Sequence, residues 1–189
     1  MAIKLNLPTH LTLLRIFLIP LLAVFFYLPW EHANLASTLI FVVAGFTDWL
    51  DGYLARKMGL ETRFGAFLDP VADKLMVAFV LVLIVQQDGS PYLAIPAAII
   101  IGREITIASL REWMAELGQR AKVKVSELGK WKTSAQMLAI SFLLYSHDIA
   151  GFPVKTSGYF LLYLAAFLTL WSMINYLKAA WHVIQNDTL

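Results

Sequence analysis

Long stretches without any charged residue are the feature that most restricts how this chain can fold. Hydrophobic residues make up 59% of the sequence and charged residues 15%, whereas soluble domains carry about 25% charged residues. A helix satisfies its own backbone hydrogen bonds within lipid. The pattern therefore predicts an all-α, polytopic membrane protein. The stretches without Asp, Glu, Lys or Arg are Ile16–Trp30, His32–Thr47, Leu75–Gln87, Gly89–Gly102, Thr133–His147 and Thr156–Leu177.

Most of these stretches are too short to cross a membrane alone. Only Thr156–Leu177 reaches the about 18 to 20 residues that a spanning helix usually needs. The other spans must extend into their charged flanks, so one end of the bundle collects the charge. We predict a single domain, residues 1–189, with six transmembrane helices. Their predicted bounds are Thr9–Leu28, Asn34–Lys57, Phe67–Gln86, Tyr92–Glu116, Gly129–Ser146 and Gly158–His182.

The basic residues predict the orientation. With the N-terminus inside, 14 of the 15 Lys and Arg residues fall in the cytoplasmic half, and only Lys155 lies outside. Six spans also return the C-terminus to the cytoplasm. The sequence has no cysteine, which excludes disulfides, a thiolate nucleophile and cysteine-ligated zinc. No nucleic-acid partner is predicted.

Four aspartates lie close together at the predicted cytoplasmic end. Asp48 and Asp51 are three residues apart on the second predicted helix, and Asp69 and Asp73 are four apart on the third. Residues at these spacings share one helix face. The intervening turn, residues 58–64, is short enough to fold the two helices back as an antiparallel pair. We expect the four carboxylates to converge on one pocket.

Such a cluster needs cations. Four negative charges in a membrane-embedded site repel one another, and the nearby Arg56 offsets only one of them. Two divalent ions, Mg²⁺ or Mn²⁺, would neutralise all four, and both ions prefer oxygen ligands. In two-metal sites such ions stabilise the attacking and leaving oxygens of an in-line displacement, while a nearby carboxylate takes a proton. The residues predict metal-assisted phosphoryl transfer.

Small residues and a proline accompany the acids. Gly52 keeps side-chain bulk away from the pocket, and Gly65 lies where the chain enters the third helix, so a bulky ligand can approach the backbone. Pro70 is expected in the first turn of that helix, where proline is tolerated.

A cation transporter or channel is the main rival from another class, because intramembrane carboxylates also line ion pathways. A pathway needs polar groups across the whole membrane, but the outer halves of the predicted helices, such as Phe17–Phe26 and Phe79–Val85, carry no charge. The acids therefore form a one-sided pocket. A non-catalytic lipid-binding scaffold is a third possibility, and the four intact carboxylates argue against it.

The motif Asp48-x-x-Asp51-Gly52-x-x-Ala55-Arg56, followed after eight residues by Gly65-x-x-x-Asp69-x-x-x-Asp73, resembles the signature of the CDP-alcohol phosphatidyltransferase family at every position. The resemblance implies six transmembrane helices, a cytoplasm-facing active-site cavity with divalent metal ions, and transfer of a phosphatidyl group from CDP-diacylglycerol to an alcohol with release of CMP. It implies these roles: metal ligands Asp48, Asp51, Asp69 and Asp73; general base Asp73; CDP contacts Gly52, Arg56 and Thr62.

The acceptor alcohol is predicted from other residues. A group of basic residues at the cytoplasmic ends of the fourth and fifth helices suits a phosphorylated acceptor. It comprises Arg103, Arg111, Lys130 and Lys132. Of these, Arg111 and Lys130 are the preferred phosphate contacts, whereas Arg103 and Glu104 are expected to pair with other charges in the bundle. Topology and binding to membrane lipids also explain basic residues at these positions.

Over nearly the whole chain, including Pro8–Pro20 and Thr62–Lys74, the sequence resembles the bacterial branch of this family that makes phosphatidylglycerophosphate. That resemblance implies sn-glycerol 3-phosphate as acceptor and the bacterial cytoplasmic (inner) membrane as location. Serine, a neutral alcohol, inositol phosphate and phosphatidylglycerol remain alternative acceptors. Small residues on the sixth helix fit either close helix packing or a homodimer.

Overall fold

The computed structural model describes residues 6–58, 62–116 and 127–187. Within these ranges the regular structure is helical, which confirms the all-α prediction. An isolated backbone bridge pairs Ile149 with Phe152. The helices are α1 (Leu7–Tyr27), α2 (Ala33–Met58), α3 (Arg63–Asp88), α4 (Pro91–Glu116), α5 (Glu127–Tyr145) and α6 (Val154–Asp187).

The helices are those of a membrane protein. Among the described residues, four segments are long and apolar enough to cross a bilayer: Thr9–Tyr27, Ala33–Leu54, Pro91–Glu116 and Val154–Lys178. Large apolar side chains on these segments are exposed, including Phe17 and Phe160, and exposed apolar surface of this kind suits lipid. Helices α3 and α5 are not among these four segments. Their crossing of the membrane stays a prediction.

The chain divides into two compact units. Unit 1 comprises Met1–Gln87 and Ile140–Lys155. Its described part contains α1, α2, nearly all of α3 and the end of α5. Fully buried side chains such as Leu22, Phe41 and Leu81 form its apolar core. Their burial removes apolar surface from the surroundings and fixes the faces on which α1 and α2 pack.

Unit 2 comprises Asp88–Ala139 and Thr156–Leu189. Its described part contains α4, most of α5 and most of α6. Leu93, Ile100 and Leu162 are fully buried in its core. Ala165 and Ala166 on α6 are also buried, so these small residues serve close helix packing within the chain. A homodimer stays a prediction.

The turns lie where glycine and proline predict them. Gly89 has a φ of 67° between α3 and α4, and Ala150 and Gly151 have φ values of 48° and 82° before α6. The Asp148 side chain accepts a hydrogen bond of 3.1 Å from the Val154 N–H and so caps the start of α6.

The predicted start of the third helix is wrong. Helix α3 begins at Arg63 rather than Phe67, which places Pro70 inside the helix instead of in its first turn. The Thr62 hydroxyl accepts a hydrogen bond of 3.0 Å from the Gly65 N–H, and this cap explains the earlier start. Because Asp69 lies within an established helix, its position on the helix face does not depend on Pro70.

Candidate active site

Helix α1 presents a buried polar face. Thr9, Thr12 and Arg15 are spaced by three residues, so they lie on one side of the helix. Their exposures are 2%, 0% and 1%. A fully buried arginine in an apolar helix is stable only when acids pair with it. The polar face therefore predicts acidic partners on the neighbouring helices.

Those partners are the two aspartates of α2. The Arg15 guanidinium contacts Asp48 Oδ1 through Nη1 and Asp51 Oδ2 through Nη2, each at 2.5 Å. The two carboxylates share a face of α2, as their spacing predicts. Asp51 is almost completely buried, whereas the Asp48 side chain is 44% exposed. One end of the pair is thus accessible, and the other is enclosed.

Helix α3 brings a third carboxylate to the same face of α1. The Thr12 hydroxyl donates a short hydrogen bond to Asp69 Oδ1. The negative charges of Asp48 and Asp69 both act on the Asp51 carboxylate, and the Arg15 charge opposes them. Three of the four predicted metal ligands are therefore gathered around one face of α1. We call Asp48, Asp51, Asp69 and Arg15 the acidic cluster.

Asp73, the predicted general base, lies on α3 four residues after Asp69, and its side chain is exposed. An exposed carboxylate one turn from the cluster has room to meet a substrate hydroxyl.

Gly65 permits the close approach of α1 and α3. A Cβ at this position would lie 3.0 Å from Thr62 Oγ1 and 3.4 Å from Thr9 Oγ1. Both distances are tight, so any larger residue would push on the N-cap of α3 and on the polar face of α1.

The structure gives different information on each of the three predicted CDP contacts. Gly52 lies on α2 directly after Asp51 and is partly exposed. Thr62 caps α3 through Gly65, a structural role that the sequence analysis missed. The side chain of Arg56 lies outside the described ones.

The donor set suits a hard divalent ion by its chemistry, because carboxylate oxygens are the ligands that Mg²⁺ and Mn²⁺ prefer. As arranged, however, the described residues include no group of three or more His, Cys, Asp or Glu side chains around one point that could hold a metal ion. The Arg15 guanidinium instead lies against Asp48 and Asp51. One guanidinium among three carboxylates leaves a surplus of two negative charges, so the cluster still attracts a cation.

Unit 2 contains a second charged group, formed by α4, α5 and α6. Glu104 Oε1 accepts a hydrogen bond of 3.1 Å from Arg103 Nη1, and the same oxygen accepts one from Lys132 Nζ. Arg103 Nη2 also donates to Ser172 Oγ at 3.3 Å. Arg103 and Glu104 thus pair with each other, and Glu104 also pairs with Lys132, as expected of charges within the bundle. We call Arg103, Glu104 and Lys132 the basic cluster.

The two preferred phosphate contacts lie on the same helices. Arg111 is exposed on α4; its Nε donates to the Tyr176 hydroxyl at 3.1 Å, and its guanidinium lies 5.5 Å from the centre of that ring. Stacking on the ring holds the arginine in one orientation while its remaining N–H groups can bind an anion. The side chain of Lys130 lies outside the described ones.

Comparison with known proteins decides the family. The family model described as CDP-alcohol phosphatidyltransferase matches residues 5–171. The chain belongs to the CDP-alcohol phosphatidyltransferase family. The match begins before α1 and ends within α6, so it covers most of both units.

Several curated relatives are similar over almost their whole length. A protein of Haemophilus influenzae is 56% identical, covering 94% of this chain and 94% of the relative. A protein of Salmonella typhimurium is 54% identical, covering 93% and 94%. A third, from Sodalis glossinidius, is 54% identical, covering 95% and 97%. Each is named CDP-diacylglycerol–glycerol-3-phosphate 3-phosphatidyltransferase.

Arg15 and Thr12 are the residues that sequence reasoning missed in this CDP-alcohol phosphatidyltransferase. Arg15 was counted only as a cytoplasmic charge, and Arg56 was considered as the counter-ion of the acids. The signal was present in the spacing of Thr9, Thr12 and Arg15, because three polar residues at helical spacing in an apolar helix indicate a polar contact face.

Proposed function

We propose that this protein transfers the phosphatidyl group of CDP-diacylglycerol to sn-glycerol 3-phosphate, giving phosphatidylglycerophosphate and CMP. The observation that carries the proposal is the identity of 54–56% with relatives that bear the name of this activity, over 93–95% of the chain. The acidic cluster supports the chemistry, and the basic residues of unit 2 support a phosphorylated acceptor.

The reaction is a displacement at phosphorus. The acceptor hydroxyl oxygen forms a bond to the phosphorus that carries diacylglycerol. The bond from that phosphorus to the bridging diphosphate oxygen breaks, and CMP leaves with the oxygen. Asp73 takes the hydroxyl proton as general base. Its exposed position on α3 supports this role.

The charge surplus of the acidic cluster supports a cation requirement. Two Mg²⁺ or Mn²⁺ ions would be held by Asp48, Asp51, Asp69 and Asp73, and when bound they would screen the donor diphosphate and stabilise the leaving CMP. Arg15 orients Asp48 and Asp51 through two separate contacts. Thr12 orients Asp69. Gly52, Arg56 and Thr62 are proposed to contact the CDP moiety.

The acceptor phosphate is proposed to bind Arg103, Arg111, Lys130 and Lys132. Guanidinium groups match a phosphate through paired N–H donors, and lysines add point charge. The described contacts of Arg103, Arg111 and Lys132 within unit 2 support this, because side chains that are already oriented lose less entropy on binding.

The membrane arrangement belongs to the same proposal. Six helices cross the bacterial cytoplasmic (inner) membrane, the N- and C-termini and the charged helix ends face the cytoplasm, and lipids cover the exposed apolar faces. The position of 14 of the 15 basic residues in one half of the predicted spans supports this orientation.

Release of CMP by the purified protein tests the function. Protein in detergent with Mg²⁺ or Mn²⁺ and CDP-diacylglycerol is given glycerol 3-phosphate, serine, inositol phosphate, glycerol or phosphatidylglycerol in parallel. We expect CMP release and phosphatidylglycerophosphate with glycerol 3-phosphate. Preferred turnover of another acceptor would overturn the acceptor assignment, and CMP release independent of a divalent ion would overturn the metal assignment.

A further inference from the structure

Glu104 holds two cations together inside unit 2. Its Oε1 atom accepts hydrogen bonds from Arg103 Nη1 on the same helix and from Lys132 Nζ on α5. The side chains are 22% exposed for Glu104, 14% for Arg103 and 7% for Lys132. Two buried cations would repel each other without the carboxylate between them. Glu104 therefore sets where both cations lie.

The carboxylate does not cancel the charge of its partners. Together the three named side chains carry one net positive charge, and they are largely buried on α4 and α5. Electrostatic interactions are strong where water is scarce. The basic cluster is therefore suited to an anion rather than to a neutral ligand.

Buried polar atoms on the same helices lack hydrogen-bond partners. Arg103 Nε, Gln136 Oε1 and Thr169 Oγ1 are buried and unpaired. Gln136 lies one turn beyond Lys132 on α5, and Thr169 lies one turn before Ser172, which accepts a hydrogen bond from Arg103. Unpaired buried donors and acceptors are unfavourable, so a polar group bound against these atoms would be stabilised.

We propose that Glu104 is a positioning residue that holds Arg103 and Lys132 side by side to bind the phosphate of the acceptor alcohol. The inference rests on the proposed function, since it takes a phosphorylated alcohol as the acceptor. Arg103 supplies paired N–H donors, and Lys132 supplies a point charge. Glu104 itself does not touch the phosphate, because like charges repel.

Removing the charge of Glu104 distinguishes a positioning role from simple neutralisation of Arg103 and Lys132. Glu104→Gln raises the surplus in the basic cluster from one positive charge to two. If Glu104 only neutralised its neighbours, its removal would tighten the binding of glycerol 3-phosphate. If Glu104 positions them, its removal weakens that binding although the charge becomes more favourable.

The test measures binding of glycerol 3-phosphate by calorimetry and steady-state kinetics on the full chain in detergent. For Glu104→Gln we expect Kd and KM for glycerol 3-phosphate to rise about tenfold or more, the loss expected when hydrogen bonds to charged groups are misplaced. KM for CDP-diacylglycerol should stay within about twofold, since the change alters one substrate site. Glu112→Gln is the matched control, because Glu112 lies exposed on the same helix.

A second variant tests whether weaker binding comes from misfolding. The double variant Arg103→Gln, Glu104→Gln keeps one net positive charge, that of Lys132, but removes the pairing of Glu104 with its two cations. We expect a melting temperature near that of the wild type together with about tenfold weaker binding of glycerol 3-phosphate. Unchanged or tighter binding in either folded variant, or unfolding of both, would overturn the inference. If the wild type does not use glycerol 3-phosphate, the proposed function fails instead.

Discussion

The acidic cluster of unit 1 and the basic cluster of unit 2 are built on the same plan with opposite signs. In the first, one guanidinium, Arg15, lies among Asp48, Asp51 and Asp69. In the second, one carboxylate, Glu104, lies between two cations. Each cluster, as defined by its named residues, contains one counter-charge, and the charges of those residues do not cancel.

The difference in sign shows how a buried charged cluster can be stable in the fold and still attract a ligand. The internal counter-charge makes a buried cluster tolerable before any ligand is bound. In the proposed function the surplus selects a ligand by charge, a cation for the acids of unit 1 and a phosphate for the cations of unit 2. Full neutralisation would stabilise the fold but remove this selectivity.

The largest expected effect tests whether the acids perform chemistry beyond attracting cations. Asp73→Asn removes the proposed base, and general-base catalysis contributes about 10²- to 10⁴-fold, so CMP release should fall by about 10³-fold. Because the side chain is exposed, the melting temperature should hardly change. Asp148→Asn, at the turn before α6, is the control and should keep its activity. Turnover near wild type in Asp73→Asn would remove Asp73 from the mechanism.

The next effect tests the internal counter-charge of the acidic cluster. Arg15→Gln leaves Asp51 buried without its cation, which should reduce the free energy of unfolding by about 3 to 5 kcal/mol. Thermal unfolding in detergent measures it. Arg111→Gln, an exposed arginine in unit 2, should have little effect on stability.

Added divalent ions give a second test of the role of Arg15 in the acidic cluster. Arg15→Gln raises the surplus in the acidic cluster from two negative charges to three. Added Mg²⁺ should therefore raise the melting temperature of the variant more than that of the wild type, because a ligand that binds only the folded state stabilises it. An equal shift in both proteins would show that Arg15 and the cation do not act on the same carboxylates.

A smaller effect distinguishes a structural from a binding role at Thr62. Thr62→Ala removes the cap that accepts the Gly65 N–H and should cost about 1 kcal/mol, whereas Thr62→Ser keeps the hydroxyl and the stability. If Thr62 also contacts the donor, the alanine variant alone should raise KM for CDP-diacylglycerol. An unchanged KM in both variants would show that Thr62 acts only as the cap of α3.

The smallest effect concerns the edge of the basic cluster. Ser172→Ala removes the hydrogen bond of 3.3 Å from Arg103 Nη2 and should cost about 1 kcal/mol or less, since Arg103 keeps Glu104 as partner. Its KM for glycerol 3-phosphate should rise less than that of Glu104→Gln. A larger rise would make Ser172, rather than Glu104, the main positioning partner of Arg103.

The helices and the gathering of three acids could be predicted because both depend on local spacing. Most predicted helix bounds lie within a few residues of the observed ones, since charged and turn-forming residues mark the ends. The shared faces follow from helical geometry. The start of α3 was misplaced because the prediction placed Pro70 in the first turn and missed the Thr62 cap.

The counter-charges could not be predicted as readily. Arg15 and Asp51 are separated by 36 positions, and Glu104 and Lys132 by 28. Which residues meet depends on how each helix is rotated about its axis, and apolar residues surround these helices on most sides. Only the few polar positions fix that rotation. The three polar residues Thr9, Thr12 and Arg15 were therefore the main signal in the sequence for the rotation of α1 about its axis.

The buried Arg15 also bears on how the protein enters the bilayer. Helix α1 precedes α2 in the chain, so it leaves the ribosome first, with an arginine that has not yet met an aspartate. An unpaired arginine in an inserting helix is costly, by up to about 2.5 to 3.5 kcal/mol at the helix centre. We expect α1 to wait beside the translocon until α2 emerges, so that the two helices pass into lipid as a hairpin.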